Sequence, residues 1–311
     1  MDSGHPGHRL PTSGEPPFMR SLSLCSLVLA SGWLFAGSTD PAALTPEPQP
    51  REASPKVALM ASPTDPDRFV NLPRLLLDDA GHVLHAAGSW GHADWATAWT
   101  GAAVVLGTGL LLDHSVDQTV VRNAIGSTDR MAKLFENLGG PPSVLIAGGV
   151  YLGGIAFKDP EVRATGIDTM VTMGIAQIMI ALPLKLLVGR SRPYTDQGTH
   201  DFHPFTGGQS FPSSHTIQAF SLASVISAHA DQFWVTGLSY GLAGLVGLSR
   251  VEQRQHFLSD VVASAVIGTF VGKTVVAYNQ TLRAEARSKV TVSFAPMVGP
   301  GNYGFSLTAK F

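Results

Sequence analysis

Cysteine is almost missing from this sequence of 311 residues. The single thiol, Cys25, lies in a stretch that reads as a removable leader, so no disulfide and no cysteine nucleophile is available to the mature chain. Charge is also scarce: Asp, Glu, Lys and Arg make up 14 % of residues, against roughly 25 % in soluble domains. The net charge is −2 with no strongly basic face or tail, which excludes a nucleic-acid partner. Long uninterrupted apolar runs are lacking too. The uncharged stretches at 95–112, 143–157, 169–184 and 232–249 mostly fall short of the roughly 20 residues that a membrane span prefers. No His, Cys, Asp or Glu cluster has metal-ligand spacing; Asp168 and Glu252 stand apart from any such group. No internal repeat is apparent.

What the sequence does contain begins with a targeting pattern. Residues 1–38 read as a signal peptide or N-terminal anchor, with Met1 or Met19 as the start. Arg20 supplies a basic opening, Leu22 to Phe35 an apolar run, and Ala36, Gly37 and Ser38 the small residues. Export places the protein in the cell envelope with its working face towards the periplasm. Residues 39–68 are dense in proline and read as a linker. From 69 to 282, segments of helical length alternate with polar breaks, among them an amphipathic stretch at 115–137, which predicts an all-α, up-and-down bundle of about six helices. Residues 289–311 alternate apolar and polar positions around Gly299-Pro300-Gly301-Asn302, a small C-terminal β-hairpin. Val290, Val292 and Phe294 share a face on one strand; Tyr303, Phe305, Leu307 and Phe311 lie on the other.

Three short clusters fall at the predicted helix ends. Lys185 and Arg192-Pro193 close one helix, Pro212-Ser213-Ser214-His215 opens the next, and Ser249-Arg250 closes a third. His256 and Asp260 open a fourth. In an up-and-down bundle with short connections, an end, a start, an end and a start lie at one face. Their chemistry is that of a phosphate pocket. Lys185, Arg192 and Arg250 neutralise phosphoryl oxygens, and the amides near Ser213 and Ser214, with the Ser213 hydroxyl, point at the same anion. His256 and Asp260 share a helix face, so the carboxylate can hold one ring nitrogen while the other attacks phosphorus. His215 can protonate the leaving alkoxide and then activate water.

This combination resembles the type-2 phosphatidic acid phosphatase and vanadium haloperoxidase superfamily. Its signature of Lys-x6-Arg-Pro, Pro-Ser-Gly-His and Ser-Arg-x5-His-x3-Asp is matched by the residues above, over roughly 95–278. By that resemblance His256 is the nucleophile that forms a phosphohistidine, Asp260 its partner and His215 the general acid and base. Lys185, Arg192, Ser213 and Arg250 then bind phosphate. Ser214 stands where the family has glycine; its backbone amide is retained, but a Cβ approaches the anion. The resemblance implies a phosphoric ester hydrolase that needs no metal or cofactor and is inhibited by vanadate as a phosphate mimic. Its substrate is a phosphorylated small molecule or a lipid phosphate. Alternatives are an isoprenoid diphosphate phosphatase, a vanadate-dependent haloperoxidase and a phosphate-binding envelope protein without catalysis. The sequence leaves soluble and membrane-embedded forms open.

Overall fold

A computed structural model of the chain describes residues 65–122, 135, 139–230, 232–289, 291–299 and 302–310. The leader, the linker before 65 and much of the amphipathic stretch at 115–137 lie outside the described residues. The domain is helical, with eight helices among the described residues rather than about six: α1 (Leu72–His85), α2 (His92–Leu111), α3 (Asp113–Arg122), α4 (Pro141–Ala156), α5 (Pro160–Val188), α6 (Ser214–His229), α7 (Phe233–Glu252) and α8 (Leu258–Lys289). The difference has local causes. An additional helix, α1, opens at Leu72-Pro73, with proline tolerated in a first turn. The apolar run from 95 breaks at Leu112, where α3 departs from α2 by 51°. At the C-terminus, the backbones of Thr291–Gly299 and Asn302–Lys310 run antiparallel, with Thr291 opposite Lys310. The side-chain faces expected of this hairpin lie outside the described residues.

Capping fixes where the principal helices begin. Asp159 accepts from the amides of Glu161 and Val162 at 2.9 and 3.3 Å ahead of Pro160 and so starts α5. Ser213 caps α6 by accepting from the Thr216 amide. Gly189, in the left-handed region at φ 59°, terminates α5 and turns the chain towards Arg190 and Arg192.

Helix α6 is the axis of the bundle. Its Ala219, Phe220 and Ala223 pack with Tyr240, Val246, Val261 and Val262 of α7 and α8. Its Ile217 packs on the opposite side with Ile167 and Val171 of α5 and Val271 of α8. Two glycines let α8 approach it closely. A Cβ on Gly268 would lie 2.7 Å from the Ile217 carbonyl oxygen, and one on Gly272 1.9 Å from Ser224 Oγ. At the end where α6 finishes, the Arg283 guanidinium bridges Asp67 at 2.8 Å and Asp168 at 2.6 Å, and His229 meets Asp168 at 2.9 Å. Asp168 is thus committed to ion pairs away from the clustered motif residues.

The outer surface is unusually apolar. Leu106 and Leu110 on α2, Leu145 and Leu152 on α4, Ile178, Leu182 and Leu186 on α5, and Trp234, Leu238 and Leu242 on α7 are all exposed. On α5 and α7 the spacing of four draws these residues into one outward stripe per helix. Exposed aromatics mark both ends of the bundle: Trp95, Trp99, Phe157 and Phe233 at one, Tyr194, Phe202 and Phe205 at the other. Pro160–Val188 and Leu258–Arg287 are long and apolar enough to cross a membrane, and the bent pair α2–α3 passes the same test jointly.

Candidate active site

The segment from Gln209 to Ser213, just before α6, is the hub on which the motif residues meet. Lys185, near the end of α5, donates from its ammonium to the carbonyls of Gln209 at 2.8 Å and Pro212 at 2.7 Å. That uses two of its three N–H bonds and leaves one for a ligand. The imidazole of His256, 4 % exposed, sets Nδ1 2.5 Å from the Ser210 carbonyl oxygen. A carbonyl can only accept, so Nδ1 carries the proton and the Nε2 lone pair is left for chemistry.

Positive charge acts on that ring. Burial and then the charge of Lys185 push the His256 imidazole well below its ordinary range; the Ser210 carbonyl pulls the other way, and Arg192 and Arg250 add to the depression. Arg250, buried at the end of α7, is held by Gln253, and its carbonyl accepts from the Gln255 amide at 3.0 Å and the His256 amide at 3.3 Å. Arg192 donates to Gln255 Oε1 at 2.6 Å, while its Nε is buried with no hydrogen-bond partner. An orphaned guanidinium N–H beside a depressed imidazole is a donor set suited to an oxyanion. His215 is the second residue of α6 and packs against the start of α4; a Cβ on Gly140 would lie 3.0 Å from its Nε2.

Three details differ from the sequence reading. Asp260 does not hold the His256 ring directly: its Oδ2 is 3.9 Å from Nδ1, beyond hydrogen-bond reach. It accepts instead from Ser210 Oγ at 2.5 Å, the Phe257 amide at 2.9 Å and Arg190 at 2.6 Å. The Ser213 amide does not face an anion either. It donates to Ser264 Oγ at 2.7 Å, and Ser213 Oγ accepts from Thr216, so the hydroxyl hydrogen is what Ser213 can still offer. Finally, the Ser214 hydroxyl accepts from Gln177 Nε2 of α5 at 3.2 Å. The side chain that replaces the family glycine is therefore drawn towards α5.

Sequence reasoning missed Arg190, Ser210, Asp113 and Gln177. Arg190 sits two residues before Arg192 and resembles any polar residue after a helix end. It is in fact buried, paired with Asp113 at 2.8 Å as well as with Asp260, and has the Phe257 ring 4.1 Å from its guanidinium carbon. The adjacency of two arginines after one helix was the only signal available.

Residues 166–284 match the model of the PAP2 superfamily. Lipid A 1-phosphatase of Porphyromonas gingivalis is 33 % identical over 70 residues, covering 22 % of this chain and 16 % of that protein, so the match spans about a sixth of the curated relative's length. The crystal structure of Aquifex aeolicus LpxE aligns with a TM-score of 0.42 and 20 % identity, covering 53 % of this chain and 93 % of that one. The first transmembrane PAP2 type phosphatidylglycerolphosphate phosphatase from Bacillus subtilis aligns with a TM-score of 0.42 and 19 % identity, covering 68 % and 96 %. The segment that matches the PAP2 superfamily model holds Lys185, Arg192, Ser213, His215, Arg250, His256 and Asp260.

Proposed function

We propose that the chain is a membrane-embedded lipid-phosphate phosphatase that works through a phosphohistidine on His256. The observation that carries this reading is the buried imidazole whose Nδ1 is held by the Ser210 carbonyl, leaving Nε2 unprotonated, in the field of Lys185, Arg192 and Arg250. Nε2 attacks phosphorus, the bond to the substrate oxygen breaks, and His215 gives its proton to the departing alkoxide. His215 then removes a proton from water, which attacks the phosphohistidine and frees inorganic phosphate and His256. Lys185, Arg192, Arg250 and the Ser213 hydroxyl balance the charge on the phosphoryl oxygens.

Metal independence follows from the donor set. Two imidazoles and one carboxylate already tied to Arg190, set among three cations, are poorly suited to ligate a divalent ion. The substrate class is argued from the surface. Outward apolar stripes with aromatic residues at both ends suit a bilayer, and the stripe on α5 reaches Leu186, next to Lys185. A phosphate on a lipid therefore arrives beside the site. The periplasmic orientation expected from the leader is part of the same proposal.

Phosphate release by the detergent-solubilised chain is the test, measured on phosphatidate, a prenyl diphosphate, a lipid A phosphate and a water-soluble aryl phosphate. His256→Ala should lower the rate by at least about a thousandfold while leaving the helical content intact. EDTA should have little effect, and vanadate should compete with substrate. Turnover by His256→Ala near that of the parent would remove the proposed nucleophile.

A further inference from the structure

The bonds around His256 point to how its carboxylate partner acts. Asp260 is fully buried and its two oxygens are occupied: Oδ1 by Arg190, Oδ2 by the Ser210 hydroxyl and the Phe257 amide. Arg190 is itself fixed from behind. It donates to Asp113 at 2.8 Å, to Ser259 Oγ at 2.8 Å and to the Thr199 carbonyl. Asp113 in turn accepts the Ser259 amide at 2.8 Å and hydroxyl at 2.6 Å. Asp260 cannot swing to the ring without surrendering Arg190 and Ser210. The same Ser210 presents its carbonyl to His256 Nδ1.

We propose that Ser210 is the positioning residue through which Asp260 acts on His256: its hydroxyl is tied to the carboxylate, and its carbonyl fixes the tautomer and aim of the ring. Arg190 and Asp113 brace the carboxylate from the other side. The relay links the start of α3, the turn after α5, the hub before α6 and the start of α8, so it also sets how those parts meet at the reacting nitrogen. This inference rests on the proposed phosphohistidine chemistry.

The test is steady-state hydrolysis of a lipid phosphate by the full-length chain and by Ser210→Ala, Ser210→Thr, Asp260→Asn and the Ser210→Ala/Asp260→Asn double variant. Ser210→Ala should lower kcat by about ten- to a hundredfold, as loss of an imidazole's supporting partner does in metal sites, with KM within about twofold. Ser210→Thr, which keeps the hydroxyl, should recover most of that loss. The double variant should be no slower than Asp260→Asn, because both changes cut one path. An unchanged kcat in Ser210→Ala overturns the relay. So do a change confined to KM, fully multiplicative losses in the double variant, or a lowered melting midpoint that accounts for the lost rate. A parent chain that releases no phosphate from any substrate overturns the phosphatase reading instead.

Discussion

His256 is an imidazole that resists protonation. Burial and the neighbouring cations hold it well below its ordinary range, and its neutral form is the proposed nucleophile. The sign follows directly. A base with a lowered pKa stays neutral below pH 6.5 and is lost only as the pH falls through its depressed value. The acid limb of kcat/KM is therefore expected well below pH 6.5. Lys185→Gln removes the largest of the opposing charges and should move that limb upwards, besides lowering the rate. Comparing parent and variant on one substrate cancels the substrate's own ionisation, and a limb that does not move would contradict the electrostatic picture. At this scale the motif residues were legible because each belongs to a short fixed spacing. Arg190 and Asp113 were not, since they pair across 77 positions and each resembles an ordinary residue at a helix end.

Helices α6 and α8 carry His215 and Asp260 and open just after Ser213 and His256, so their separation sets the site. They pack at glycine distance, and a Cβ on Gly268 would meet the Ile217 carbonyl at 2.7 Å and Phe220 Cβ at 3.0 Å. Backbone atoms cannot move aside as a flexible side chain would. Gly268→Ala is expected to destabilise the domain by about 1–3 kcal/mol, as overpacking does, and to lower activity with no contact to substrate. Thermal unfolding and turnover of the variant check this together. Helix positions were readable from composition, and α5 read as one long segment from Pro160 to Val188, but its fitness to span a membrane was not readable. Its uncharged run spans only 169–184, whereas the helix is continuous from Pro160 to Val188. The charges beyond that run are placed at its ends: Arg163 pairs with Asp65 at 2.5 Å, Asp168 with Arg283, and Lys185 with backbone carbonyls. Partners that distant in sequence hid a span-length helix behind an ordinary one.

At the scale of the described residues as a whole, a largely buried cluster of cations at one end coexists with apolar flanks around the sides. Composition could not separate these, because an Ala- and Gly-rich helix has the same content whether its large residues face in or out. The outward stripes support the membrane reading proposed above, and that reading predicts that the chain sediments with membranes and resists washing with high salt or carbonate; recovery in a soluble fraction would count against lipid contact.

Leu186 and Lys185 are neighbours in sequence, one on the outer flank of α5 and the other gripping the hub. On the proposed reading, a lipid-borne phosphate needs only to diffuse sideways within its leaflet to meet the motif residues, a search in two dimensions rather than three. Encounter rate then follows the mole fraction of substrate among the surrounding amphiphiles, not its bulk concentration. Adding inert detergent to mixed micelles at constant substrate should slow turnover in proportion to surface dilution, while hydrolysis of a water-soluble phosphate under the same conditions should hold steady.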